Sequence, residues 1–296
     1  MSLKVAIANW TATVRPKTLP AAVGPVILGL ALAFNQTHQI NTLVATLTLL
    51  TTLLLQIGSN LVNDYFDHLR GVDSTTRLGP LRATQSGLLA PWEVKRGYLL
   101  SFLLALLLAI PLMITGGWVI ITIGFISIIT AYCYTGGPYP LSHFALGEIL
   151  ALIFFGPVAV AGSYYLQTEQ LFSWEPIIAG LIPGGFAAAI MAVNNLRDIA
   201  SDHSSGKSTI ATLVGRKNGG RVVLFFILLP AVISSILAYR NGQPLLLVAI
   251  FTLLLIKPHL TAILTAPPGQ ELNQTLARTG QLLFLYSLVT AGIIIL

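Results

Sequence analysis

Five of the ten acidic residues in this 296-residue chain fall in two short segments of similar make-up. The first holds Asn63, Asp64, Asp67 and Asp73; the second holds Asn194, Asn195, Asp198 and Asp202. Each closes a long apolar run. Carboxylates beside hydrocarbon are costly, so clusters at a membrane edge mark functional sites by default. On a helix, positions 60, 64 and 67 share a face, and Asn63 lies one turn before Asp67. Positions 194, 198 and 202, spaced by four, form a stripe. Rows of amide and carboxylate oxygens suit Mg2+, which keeps several waters and is shared with substrate phosphates. No Cys or His cluster speaks for zinc or iron, and Cys133 is the only cysteine. Basic residues are interleaved: Arg70, Arg77 and Arg82 follow the first segment, and Arg197 and Lys207 flank the second. Acids to hold a metal, with metal and guanidinium groups to hold a phosphate, make a site that can neutralise a diphosphate leaving group.

The elements that position these residues are membrane spans. The chain is 55% hydrophobic and 9% charged, with a mean hydropathy of +0.81. A soluble domain would be roughly a quarter charged. Apolar runs predict an all-α membrane protein of one domain over residues 1–296, with nine spans near 19–34, 43–63, 98–115, 117–134, 146–166, 176–195, 222–239, 244–263 and 280–296. The split between the third and fourth rests on Gly116-Gly117 alone. No removable signal peptide is expected, and residues 1–15 read as a short interfacial helix carrying Trp10. With the N-terminus inside, fifteen of the sixteen Lys and Arg residues fall on the cytosolic side and only Arg240 outside. Both acidic segments then share the cytosolic face. The net charge of +6 reflects these loops rather than a nucleic-acid partner.

Other signals are weaker. Gly206-Lys207-Ser208-Thr209 ends like a phosphate-binding P-loop, but Ser201 stands where that motif needs Gly and no strand precedes it. Tyr132 and Tyr134 are either interfacial aromatics or a wall beside a developing cation. Glu148 is an isolated acid in an apolar run, read as a pairing or substrate-binding residue.

The two acidic segments together resemble those of the UbiA superfamily of intramembrane prenyltransferases, over nearly the whole chain. Further stretches resemble its MenA-type branch, which uses 1,4-dihydroxy-2-naphthoate: Arg15-Pro16-Lys17-Thr18-Leu19-Pro20-Ala21, Arg77-Leu78-Gly79-Pro80-Leu81-Arg82 with Gln85, Gly147-Glu148-Ile149, and Asn194-Asn195-Leu196-Arg197-Asp198. Three features depart from the superfamily at large or from that branch: the six-residue step from Asp67 to Asp73, Asn195 in place of Asp, and Phe66 in place of Gly. The first two are more like the naphthoate branch.

The resemblance implies nine helices around a central cavity that opens to lipid, capped by two cytosolic loops. It implies Mg2+ held by Asn63, Asp67, Asp198 and Asp202, supported by Asp64, Asp73 and Asn195. Arg70, Arg82, Arg197 and Lys207 would contact the diphosphate, with Asp67, Asp198, Tyr132 and Tyr134 at the chemistry. Lys17, Arg77 and Gln85 would receive the acceptor's carboxylate. The substrates implied are 1,4-dihydroxy-2-naphthoate and a phytyl, geranylgeranyl or longer polyprenyl diphosphate. The protein would sit in a bacterial inner membrane or a thylakoid, with its site toward the cytosol. The alternatives are another acceptor (4-hydroxybenzoate, homogentisate or chlorophyllide) or a cation-coupled transporter.

Overall fold

Apolar runs of this length can satisfy their backbone inside lipid only as helices or closed barrels. Here they form helices. The computed structural model describes residues 3–71, 78–79, 82–171, 173–265, 267, 269 and 271–296. Asp73 and Arg77 lie outside the described residues. Among the described residues there is no strand, only an isolated bridge between Phe144 and Ser208.

Helix α1 (Leu3–Val14) is short and mostly exposed, and its Trp10 ring fills the space where Gly97 has no side chain. Helix α2 is Pro20–Thr37, and α3 (Thr42–Leu69) carries the first acidic segment on its last turns. Gly71, at φ 64°, ends α3 with the left-handed residue that favours glycine. Helix α4 spans Pro91–Cys133. Helices α5 (Gly147–Ile153) and α6 (Ala159–Thr168) are joined by a π turn over Phe154–Val158. Helix α7 (Trp174–Arg197) delivers the second acidic segment, which continues into the short α8 (Ile199–Ser204). Helix α9 is Ile210–Asn241; a 3-10 run over Pro244–His259 leads into α10 (Leu260–Leu264), and α11 is Glu271–Ile295.

Eight helices among the described residues are long and apolar enough to cross a membrane, against nine expected. The difference lies in α4, whose 43 residues merge the third and fourth expected spans. It is not straight. Residues 98 and 132 would sit about 50 Å apart on an unbroken helix at 1.5 Å per residue. Their tyrosine rings are 6.4 Å apart, so the helix doubles back. The reversal is at Gly117 (φ 57°, ψ −149°), a conformation essentially closed to residues with a side chain. Nothing would touch a β-carbon there, so Gly117→Ala tests the backbone alone. It should cost about 1–3 kcal/mol, read as a lower thermal midpoint in detergent; an unchanged midpoint would overturn this account of the turn.

Helix α7 is the axis of the core, packed against α9, α11, α5 and α2. Its small residues permit this. A side chain at Gly180 or Gly184 would strike the backbone of the π turn, so α7 and that turn are in direct backbone contact. Helices α3 and α7, which bear the two acidic segments, scarcely touch; α3 packs on the α4 hairpin and α7 on α5, and the cavity is lined by α3, the α4 hairpin, α5, the π turn and α6.

Candidate active site

The cavity holds roughly 1280 Å³ of atom-free space, part of it open to the outside. Leu112, Ile120 and Leu166 close its far end, and Phe154, Phe155 and Val158 of the π turn line its flank. Gln56 and Ser59 of α3, Tyr134, Gly147 and Met191 mark the end nearest the acidic segments. From Tyr134 to Ile120 the α4 wall runs about 21 Å at 1.5 Å per residue. Helix α4 scarcely touches α5, and the cavity lies between them.

Above that end sit the acids, each held differently. Asp67 accepts a bond from Arg82, and its side chain keeps 18% exposure. Asp198 receives Arg197 in bidentate fashion, Nε at 2.8 Å and Nη2 at 2.6 Å, and keeps 23% exposure. Asp202 pairs with Lys207 at 3.2 Å through one oxygen. Its other oxygen is buried and has no partner. Asn63 accepts from the Thr135 hydroxyl at 2.7 Å. The break between α7 and α8 falls at Asp198, yet the Asp202 amide still donates to the Asp198 carbonyl at 2.8 Å, which keeps both acids on one turn.

The two acidic segments face one site. Burial is the main force raising the Asp202 carboxyl above its ordinary pKa; Asp198 and Asp67 add to it, and Lys207 opposes them. The loop after α4 joins the same group. Its segment Leu141–His143 brings His143 under the influence of Lys207 and Arg70, and burial above all holds that imidazole below its usual value. This loop is pinned to the second segment by Ala145 donating to the Ser208 carbonyl at 2.9 Å. The Gly206–Thr209 stretch is therefore a loop strut followed by a capping box at Thr209, with no phosphate cradle.

Several residues differ from expectation. Asp64, expected among the metal ligands, is 1% exposed and spends its oxygens on the Ala83 amide at 3.0 Å, the Thr84 amide at 3.1 Å and the Thr84 hydroxyl. It anchors the first cap loop, which also carries Gln85. Arg197, expected on the diphosphate, is drawn inward at 1% exposure, and its donors go to Asp198, Asn194 and Asn273. Arg70 donates to the carbonyls of Thr135 and Gly137 and lies over the Phe66 ring at 5.5 Å. It buttresses the loop after α4. Asn195, expected among the metal ligands, donates through Nδ2 to Glu148 at 2.9 Å, deep in the protein. The second oxygen of Glu148 is buried without a partner.

Tyr132 and Tyr134, two positions apart on a helix, point to opposite sides. Tyr134 lines the cavity and reaches the Met191 sulfur at 3.2 Å. Tyr132 turns away and stacks edge-on against Phe66 at 5.5 Å. Lys17 is exposed on the 3-10 turn Pro16–Thr18, which is tied to α3 by Asn60 donating to Thr18 at 2.9 Å. Asn273, which carries no motif, was missed by sequence reasoning; only the fold brings it to Arg197.

Among the described residues no three His, Cys, Asp or Glu side chains converge as a ready-made metal cage. That suits magnesium, which is commonly bound by one or two carboxylates plus substrate phosphates rather than by a closed protein cage. The orphaned Asp202 oxygen and the mutual repulsion of Asp67, Asp198 and Asp202 are what a divalent cation would relieve. In magnesium-free protein the Asp202 carboxyl carries a stability cost that grows as it ionises. Stability from the protonated form is present at low pH and lost as pH rises from about 4 through the raised value. Asp202→Asn should therefore gain thermal stability relative to wild type over that range; a difference that stays flat with pH would exclude it.

Membrane-length helices enclose an apolar cavity, with carboxylates and cations grouped beyond one end of it. The chain belongs to the UbiA prenyltransferase family, whose model matches residues 22–288. It is similar to the 1,4-dihydroxy-2-naphthoate octaprenyltransferase of Escherichia coli strain K12, 41% identical over 220 residues, 72% of this chain and 70% of the relative. The enzyme of that name from Mycobacterium tuberculosis is 31% identical over 285 residues, 96% of both chains. In fold it matches a UbiA homolog from Archaeoglobus fulgidus bound to DMAPP and Mg2+, with a TM-score of 0.63 at 16% identity, covering 97% of this chain and 99% of that one.

Proposed function

We propose that this protein transfers a prenyl group from a prenyl diphosphate to 1,4-dihydroxy-2-naphthoate, with loss of CO2 and diphosphate. The observation that carries the reading is that the two acidic segments, from distant parts of the chain, are tied together at the polar end of an apolar cavity, Asn273 bonding both the Leu78 carbonyl and Arg197. The names of its relatives support the naphthoate acceptor and a long polyprenyl donor. The magnesium and DMAPP on the Archaeoglobus homolog support the metal and the diphosphate.

Asn63, Asp67, Asp198 and Asp202 would hold Mg2+. When bound, the ion neutralises charge on the diphosphate as it leaves. Arg82, buried beside Asp67, and Lys207, beside Asp202, would contact the diphosphate oxygens. The allylic C1–O bond ionises, and the apolar walls keep out the water that would quench the cation. The Tyr134 ring stands on the wall at that end and faces the positive charge. The electron-rich naphthoate ring attacks the allylic carbon, and CO2 leaves from the attacked position to restore aromaticity. Lys17, Arg77 and Gln85 remain the candidates for the acceptor's carboxylate. The tail lies along the cavity; a polyprenyl chain longer than its roughly 21 Å depth leaves toward lipid between α4 and α5. The site faces the cytosol, by the sorting of Lys and Arg across the spans.

Membranes containing the protein, given dihydroxynaphthoate and prenyl diphosphates of several lengths, should yield prenylated naphthols identified by mass. EDTA should stop the reaction and magnesium restore it. No prenylated naphthol with any donor, or turnover that persists in EDTA, would refute the reading. Preference for 4-hydroxybenzoate or homogentisate in the same assay would move the protein to another branch of the family.

A further inference from the structure

Helices α3 and α7 scarcely touch, so direct packing does not set the spacing of their acids. A chain of polar contacts links them. Asp67 is held by Arg82 in the first cap loop. Leu78, earlier in that loop, accepts through its carbonyl from the Asn273 side-chain amide at 2.8 Å. The other end of the same amide, Oδ1, accepts from Arg197 Nη1 at 2.8 Å. Arg197 in turn holds both oxygens of Asp198. Asn273 stands on the first turn of α11, which packs on α7 and on α2. Its side chain hydrogen-bonds to each half of the site.

We propose that Asn273 is a positioning residue for the proposed transfer. One amide fixes the first cap loop, and with it Asp67, against the guanidinium that orients Asp198. An amide is the fitting group because Leu78 offers a carbonyl, which needs a donor, and Arg197 offers an N–H, which needs an acceptor. Aspartate can serve only Arg197. Alanine serves neither.

This proposal deepens the functional reading and rests on it for its kinetic arm only. Purified protein in nanodiscs is compared as wild type, Asn273→Asp and Asn273→Ala. The first measurement is amide exchange at Ala83 and Thr84, made without magnesium or substrate. The second is the magnesium concentration giving half-maximal prenyl transfer, with the acceptor KM followed in parallel. Exchange at Ala83 and Thr84 should rise in both variants, because both lose the bond to Leu78. Removing a partner that orients metal ligands typically weakens metal affinity about 10–100-fold. Asn273→Ala should raise the magnesium requirement by that factor with little change in acceptor KM. Asn273→Asp should raise it less, because Arg197 keeps its acceptor. Exchange and magnesium requirement within twofold of wild type in both variants would overturn the proposal, as would equal magnesium effects in the two. If wild type makes no prenylated naphthol, the functional reading fails while the exchange measurement still decides whether Asn273 holds the loop.

Discussion

Asp67→Ala and Asp198→Ala should each lower prenyl transfer by at least about 10³-fold, with the protein still inserting and still monodisperse in detergent. The magnitude follows from what each acid does. Losing one fixed electrostatic group at a site of developing charge commonly costs 10²- to 10³-fold. In the proposed site each acid would also hold part of a shared cation. Neither change empties the core, because both side chains stand at the mouth with 18% and 23% exposure; each does take a carboxylate from a buried guanidinium, Arg82 or Arg197, so part of the stability is lost with it. Activity should therefore fall far more than stability. The comparison with Asp64→Ala sharpens the test. Asp64 is 1% exposed and holds the backbone of Ala83 and Thr84, so its loss should loosen the cap loop and lower stability as well as activity. The measurement is product formed per minute by purified variants over a magnesium series. Full turnover by Asp67→Ala or Asp198→Ala at any magnesium concentration would end the metal assignment.

Arg197→Met should be strongly destabilising, by up to about 3–5 kcal/mol, the cost of breaking a fully buried ion pair from one side, reduced by the water that reaches Asp198. The guanidinium is 1% exposed and serves three acceptors, Asp198, Asn194 and Asn273. Methionine fills the space and satisfies none of them. Arg197→Lys keeps the charge but not the planar fork, so it cannot chelate Asp198 while reaching Asn194 and Asn273 together. It should fold more stably than Arg197→Met and still lose activity by about 10–100-fold through misdirected Asp198. Thermal unfolding and turnover of the two variants check this. A methionine variant as stable as wild type would show that the network contributes nothing net to the fold, and a lysine variant with full activity would show that Asp198 needs no orienting partner.

The membrane class, the helical architecture and the two acidic segments are legible in the chain because they depend on local properties. Long apolar runs leave the backbone no alternative to helices in lipid. Spacings of three and four residues put Asp67 with Asn63, and Asp202 with Asp198, on shared helix faces whatever the tertiary context. Even the α4 reversal left a trace, since Gly116-Gly117 is the one interruption between two expected spans. Charge sorting likewise needs only composition and order.

What each polar group faces was decided by packing between segments far apart in sequence. Asp64 and Asp67 are both acids on the last turns of α3, yet one is taken by the Ala83 and Thr84 backbone while the other stays at the mouth. Tyr132 and Tyr134 looked equivalent, and helix rotation sent one to the Phe66 ring and the other to the cavity. Arg197 sits among loop charges in the sequence, but α11 covers it and Asn273 claims one of its donors. A buried donor or acceptor must find a partner, and which one it finds depends on what the fold brings within 3 Å of it.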